Sequence, residues 1–135
     1  MSFSLPSFAK INWTLRVLGK RGDGFHELFT VFQAVSLSDT LHFAESETLQ
    51  MTCDNANVPV DERNLIVQAA NSLGDIFGAK KGAAIHLEKR IPSPGGLGGG
   101  SSNAAAALIG LARLWEMDVS LDELMPIAAK IGSDV

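Results

Sequence analysis

The stretch Arg90-Ile91-Pro92-Ser93-Pro94-Gly95-Gly96-Leu97-Gly98-Gly99-Gly100-Ser101-Ser102-Asn103 has the residue types and the order of an anion cradle. Two prolines stiffen its entry and five glycines clear the loop of side chains. The alanine run Ala104–Ala107 that follows strongly favours helix. The first turn of a helix carries backbone N–H groups without intrahelical acceptors, and the macrodipole adds partial positive charge there. Glycines let a bulky anion reach the backbone and permit positive φ. Loop and helix start together make a site for phosphate. Ser101, Ser102 or Asn103 could cap the helix, and the same side chains could donate to phosphate oxygens or touch a metal. A plain strand-to-helix connection rarely carries so many glycines, because ordering each costs roughly 0.5–1 kcal/mol.

Two familiar phosphate loops do not fit. Counted from Gly95, the spacing to Gly100 matches a Walker loop, but Ser101 stands where the lysine is required. The dinucleotide fingerprint needs a glycine at the position of Asn103. Other candidates lie far from the loop in sequence. From Phe8 to Leu18 the chain alternates, with Ile11, Trp13, Leu15 and Val17 on one face and Lys10, Asn12, Thr14 and Arg16 on the other. That is the period of a half-buried strand, so Lys10 and Asn12 share its polar face. On spacing alone Lys10 is a solvated strand lysine. Phe25 and His26 place a stacking ring beside a hydrogen-bonding nitrogen, although taken alone they describe a loop histidine next to a core phenylalanine. His42 and His86 fall in strand patterns and read as ordinary strand histidines.

The elements around these residues follow from periodicity and punctuation. Gly19 to Gly24 predicts a turn or longer loop, basic at Lys20 and Arg21. Phe29 to Val35 favours strand, although Phe25, Leu28, Phe29 and Phe32 also match helical spacing. Ser38-Asp39 predicts a turn, and Leu41–Glu45 and Thr48–Cys53 predict short strands that complete an antiparallel run. Asp54 to Pro59 is a loop. Asp61 to Phe77 predicts a helix, with Asp61 or Asn64 as its cap and Leu65, Ile66, Ala69, Ala70, Leu73 and Phe77 at three- and four-residue steps. Ala83 to Arg90 predicts a strand feeding the glycine loop. Ser102 to Trp115 predicts a helix apolar on nearly every side early on, hence buried, with its N-terminus aimed at a pocket. Ser120-Leu121-Asp122-Glu123 is a capping-box signature. It predicts a third helix with Leu121, Leu124, Ile127, Ala128 and Ile131 inward, distorted by Pro126 and ended by Gly132.

Composition bounds the function classes. A chain of 135 residues with 46% hydrophobic content is one small globular domain or part of a larger protein. A net charge of −4 argues against a nucleic-acid-binding surface. Phosphate can still bind where N–H groups and positive charge are local. Cys53 is the one cysteine, which excludes an internal disulfide and suits a reducing cytoplasm. No run reaches the ~18 apolar residues of a membrane span, so no membrane partner is expected.

With strand, loop and helix placed, Pro94 to Ala105 closely resembles the phosphate loop of the GHMP small-molecule kinases. Ala9-Lys10-Ile11-Asn12, Arg21 to Leu28, Asn64-Leu65-Ile66-Val67 and Gly132-Ser133-Asp134-Val135 extend the likeness along the chain and towards members acting on a cytidine-diphosphate derivative in isoprenoid synthesis. The resemblance implies an α+β fold related to the second domain of ribosomal protein S5, with a mixed or antiparallel sheet packed against helices. It implies ATP with Mg²⁺, phosphorylation of a small-molecule alcohol, and a cytoplasmic or plastid-stromal setting. It makes Lys10 and Asp134 catalytic. ATP would meet Asn64, Leu65 and Ile66 through its adenosine. Its triphosphate would meet Pro94, Gly95, Gly96, Leu97, Gly98, Gly99, Gly100, Ser101, Ser102 and Asn103. Asn12, Phe25, His26 and Phe32 would line the substrate site, with Phe25 where many members have tyrosine. Family members run to about twice this length. Residues 1–135 would thus be a truncated N-terminal, ATP-binding domain, exposing apolar surface that favours a homodimer.

Overall fold

The computed structural model describes residues 1–20, 26–78, 82–92, 96–132 and 134–135, and within 12–20 and 26–32 it describes the backbone. Among the described residues, four strands and three helices follow in the order β1 (Ser2–Lys20), β2 (His26–Ala44), β3 (Leu49–Cys53), α1 (Leu65–Phe77), β4 (Ala83–Glu88), α2 (Gly99–Leu114) and α3 (Leu121–Ile131). The sheet order is β1-β2-β4-β3. β2 runs antiparallel to both β1 and β4, and β3 runs parallel to β4. This is the mixed sheet of an α+β domain.

The period-2 rule sorts the faces of the sheet. In β4, Ala83, Ile85 and Leu87 are buried while Ala84, His86 and Glu88 are not. In β2, Leu41 and Phe43 point the same way. Against that face pack Ile66, Ala69, Ala70 and Leu73 of α1, Ala104, Ala107, Leu108 and Leu111 of α2, and Leu124 and Ile127 of α3. The opposite face is polar. There Ser4 Oγ lies 2.6 Å from His42 Nδ1 and Thr52 Oγ1 lies 2.7 Å from His86 Nδ1.

Several expected boundaries move. Ser38-Asp39 is no turn: β2 runs through it, with Phe8 opposite Ser38 and Ser7 opposite Asp39. Burial of Asp39 among hydrogen-bond donors overrides its turn propensity. The expected antiparallel run fails at β3, which pairs parallel with β4 after the chain returns through α1. The polar alternation of β1 is interrupted where the register shifts between Phe8 and Lys10, and Ile11, expected inward, is 38% exposed. In α1, Asn64 is the cap: its Oδ1 accepts from Ile66 N–H at 2.9 Å, and the helix starts at Leu65. Asp61 instead chelates Arg63. The capping box of α3 forms between Ser120 and Glu123. Leu121, expected inward, is 66% exposed, because the first turn of α3 overhangs the core that Leu124 and Ile127 enter.

Candidate functional site

The glycine segment is held between β4 and α2, and its far end lies against β1. Gly98, in a left-handed conformation (φ 69°, ψ 21°), precedes α2 without any side-chain cap. Helix α2 therefore begins at Gly99; of the expected capping candidates, Ser101 and Ser102 lie inside its first turn and Asn103 just past it. The physical reason is that glycine reaches positive φ at no steric cost, so the backbone closes the helix by itself. Ser102 N–H donates to Gly98 O at 2.9 Å, the first helical bond. The N–H groups of Gly99, Gly100 and Ser101 thus precede any intrahelical acceptor and stand at the positive end of the dipole.

Lys10 meets this loop twice. Its backbone N–H donates to Leu97 O at 2.9 Å. Its side chain lies along Gly98 so closely that a Cβ there would come within 2.8 Å of Lys10 Cε. Lys10 Nζ reaches to 4.0 Å from Asp134 Oδ2, joining the two ends of the sequence. At that separation the two attract as charges without a direct hydrogen bond. The Lys10 side chain is 21% exposed and that of Asp134 37%. A cation and a carboxylate thus stand beside the loop, open to an incoming molecule.

On the other side of α2's first turn lies a cleft of about 420 Å³, lined by Asn64, Leu65, Gly100 and Asn103 together with Asn55, Asn57, Pro59, Arg63 and Arg90. The sequence names the first four as candidates; it places Asn55, Asn57 and Pro59 in a loop, Arg63 in a helix and Arg90 at the end of a strand, none of them at a site for adenosine. Asn64 is rigid there, since its Nδ2 also donates to Pro59 O at 2.9 Å. Ile66 is fully buried in the core, so its side chain faces away from the cleft. Arg90 is held by Asp54 at 2.8 Å. The Asp54 carboxyl is lowered first by the Lys89 N–H that it accepts and then by Arg90.

Asn103 departs from expectation. Its side chain is buried and turned inward: Nδ2 donates to Ser7 Oγ at 2.8 Å and to Asp39 Oδ2 at 2.9 Å. Both its donors are spent inside the protein, so they cannot also serve a phosphate. Ser102 Oγ accepts from Ser7 Oγ at 2.9 Å. The sequence places Asp39 in a turn and Lys89 in a strand and gives neither, nor Ser7, a part in the site. Burial, the largest influence on the Asp39 carboxyl, raises its pKa, but hydrogen bonds from Ile91 N–H, Lys89, Arg90 N–H and Asn103 outweigh it and the net shift is downward.

Pro94, Gly95 and Phe25 lie outside the described residues. Asn12, His26 and Phe32 have a described backbone only. Asn12 stands opposite Phe32 in the β1–β2 ladder, two positions from Lys10, and His26 stands opposite Lys20.

A mixed sheet, a glycine-rich loop closing directly onto a buried helix, and a lysine and an aspartate converging beside it define an α+β domain of a particular kind. The model of the family "GHMP kinases N terminal domain" matches residues 64–135, and the chain belongs to that family. A relative named 4-diphosphocytidyl-2-C-methyl-D-erythritol kinase, from Chlorobaculum parvum, is 47% identical over 133 residues, which are 98% of this chain and 46% of the relative. A crystal structure of 4-(cytidine 5'-diphospho)-2C-methyl-D-erythritol kinase superposes with a TM-score of 0.79 at 36% identity, over 98% of this chain and 47% of its own. Homoserine kinase from Cytophaga hutchinsonii superposes with a TM-score of 0.67 at 19% identity, over 96% of this chain and 40% of its own, a likeness of fold alone. The chain spans about half the length of the curated relatives it matches.

Proposed function

We propose that this chain is the nucleotide-binding half of a kinase that transfers the γ-phosphoryl group of ATP to the 2-hydroxyl of 4-diphosphocytidyl-2-C-methyl-D-erythritol, a step of non-mevalonate isoprenoid synthesis. The observation that carries the reading is the approach of Lys10 Nζ to Asp134 Oδ2 beside Gly98. The identity to relatives of that name supports the choice of substrate.

In this reaction the substrate oxygen forms a bond to Pγ, the bond from Pγ to the β,γ-bridging oxygen breaks, and ADP leaves. The hydroxyl proton passes to Asp134. Lys10 faces that carboxylate and offsets negative charge spreading over the transferred group. N–H groups of the loop and of α2's first turn hold the phosphates, so most of the catalysis is positioning and electrostatics. Adenosine occupies the cleft beside Asn64 and Leu65. Asn12, Phe25, His26 and Phe32 receive the cytidine and erythritol. Among the described residues no group of three or more His, Cys, Asp or Glu side chains is arranged to hold a metal. Mg²⁺ would come with ATP as its counter-ion, with a Ser101 or Ser102 hydroxyl as a protein donor. No helix of the described residues is long and apolar enough to cross a membrane, and the proposed setting is the cytoplasm.

The test is transfer of phosphate from ATP to the cytidine-diphosphate substrate, by this chain and by a version extended to the relatives' length, with homoserine and mevalonate as competing alcohols. The extended protein should turn over the cytidine substrate alone. Asp134→Asn should lower its kcat about 10²-fold or more. Lys10→Ala should cost a similar factor, and the double variant should lose little beyond either single one. A near-normal rate in Asp134→Asn rejects the role. If this chain binds ATP without turnover while the extended one is active, it acts as a binding domain.

A further inference from the structure

Three strands of the sheet turn from apolar to polar at the same level of their inward faces. Along β1 the inward series Phe3, Leu5 continues to Ser7; along β2, Phe43 and Leu41 lead to Asp39; along β4, Ile85 and Leu87 lead to Lys89 just past its end. Ser7 and Asp39 are direct ladder partners. Asp39 is fully buried, Ser7 is 2% exposed, and the Lys89 side chain is 6% exposed. From above, Asn103 of α2 closes on this row.

The hydrogen bonds converge on one carboxylate. Asp39 Oδ1 accepts from Arg90 N–H at 2.6 Å and Ile91 N–H at 2.8 Å. Oδ2 accepts from Lys89 Nζ at 2.6 Å and Asn103 Nδ2 at 2.9 Å. Lys89 Nζ also donates to Asn103 Oδ1 at 3.2 Å. Arg90 and Ile91 lead the chain into the glycine segment, and Asn103 stands in the helical turn that leads it out. We propose that Asp39 is a positioning residue of the phosphate loop: its carboxylate, neutralised by Lys89, ties Arg90 and Ile91 before the loop to Asn103 after it, so that the N–H groups of Gly99, Gly100 and Ser101 are set before ATP arrives.

The physical need is plain. A glycine-rich segment has more freedom to lose than any other, and a ligand that had to order it would bind more weakly. Asp39 is too deeply buried to touch a nucleotide and acts through Arg90, Ile91 and Asn103. The identity of the ligand rests on the kinase reading above; the tethering does not.

Two backbone bonds report the loop directly: Lys10 N–H to Leu97 O and Ser102 N–H to Gly98 O, both 2.9 Å. Amide hydrogen exchange at Lys10 and Ser102, with the Ile85 amide of β4 as reference, is measured in this chain and in Asn103→Ala. A second variant, Asp39→Asn with Lys89→Met, removes both charges together so that neither is left buried alone. Exchange at Lys10 and Ser102 should rise about tenfold or more while Ile85 is unchanged, and the ATP Kd should rise about tenfold in parallel. Unchanged exchange at Lys10 and Ser102 overturns the proposal. So does a uniform rise at all three amides in both variants, which would make the cluster a support of the whole fold. Failure of the unaltered chain to bind ATP strikes the kinase reading instead, and the exchange data still decide the tether.

Discussion

Gly96 and Gly98 share a left-handed backbone, each with φ 69°, yet their surroundings differ. A Cβ added at Gly96 would meet nothing within 4 Å, whereas one at Gly98 would press on Lys10 Cε at 2.8 Å and Cγ at 2.9 Å. An L-residue held at such a φ costs about 1–2 kcal/mol. Gly96→Ala and Gly98→Ala should therefore lose similar stability in thermal unfolding. Only Gly98→Ala should also move the lysine stem and, in the length-extended protein, slow phosphoryl transfer about tenfold or more, because small misplacements are costly near the reacting atoms. Equal rates in the two variants would show that the loop does not set Lys10. At this scale the glycines are legible as a pattern, whereas Lys10 and Asp134 stand out only through the family resemblance, because spacing alone makes Lys10 a solvated strand lysine. The sequence hid Asp39, since Ser38-Asp39 has turn chemistry. The available signal was parity: Asp39, Leu41 and Phe43 recur at steps of two, which places the carboxylate on the apolar face.

Helix α2 depends on small residues for its closeness to the sheet. Gly110 lies on Phe43, where an added Cβ would fall 2.3 Å from Cζ and 2.6 Å from Cε2. The ring cannot easily yield, since it is 1% exposed and stacked on Phe3 at 5.2 Å between centroids. Two effects of Gly110→Ala oppose one another. Helix propensity favours alanine by about 1 kcal/mol, and overpacking costs about 1–3 kcal/mol. The overlap is with a fixed ring, so overpacking should win and the urea midpoint should fall. A higher midpoint would mean that Phe43 swings aside. The helices themselves were legible because their evidence is local: a 3.6-residue period, the Asn64 cap and the Ser120–Glu123 box. The start of α2 was not, because a glycine-capped helix leaves no side-chain signature. The parallel pairing of β3 was not either, because nothing within Leu49–Cys53 specifies which neighbour it will find across the sheet.

At the scale of the whole molecule, the buried Asp39–Lys89 pair is where β2, the segment after β4 and α2 meet, with Ser7 of β1 opposite Asp39 in the ladder. The Asp39 carboxyl is held below its usual 3.8. A carboxyl depressed in the folded state adds stability that is complete above its unfolded pKa and disappears as pH falls through the folded value. Stability should therefore be nearly level from about pH 7 to pH 5 and fall steeply below about pH 4. Protonation there leaves Lys89 charged and buried without its anion, and breaking such a pair costs about 3–5 kcal/mol, a large share of the 5–15 kcal/mol typical of a domain. Asp61, held down to about 2 by the Arg63 side chain and N–H, is exposed and well solvated, so it should contribute little to this limb. Urea unfolding at pH 7 and pH 3 separates the two. The Asp39→Asn, Lys89→Met double variant should lose much less stability between these values than the unaltered chain, whereas Asp61→Asn should track it. Equal acid losses in the double variant and the unaltered chain would place the acid-labile group elsewhere. The same dependence has a functional side: acid should loosen the glycine loop, and weaken ATP binding, before α1 and the middle of β4 are released.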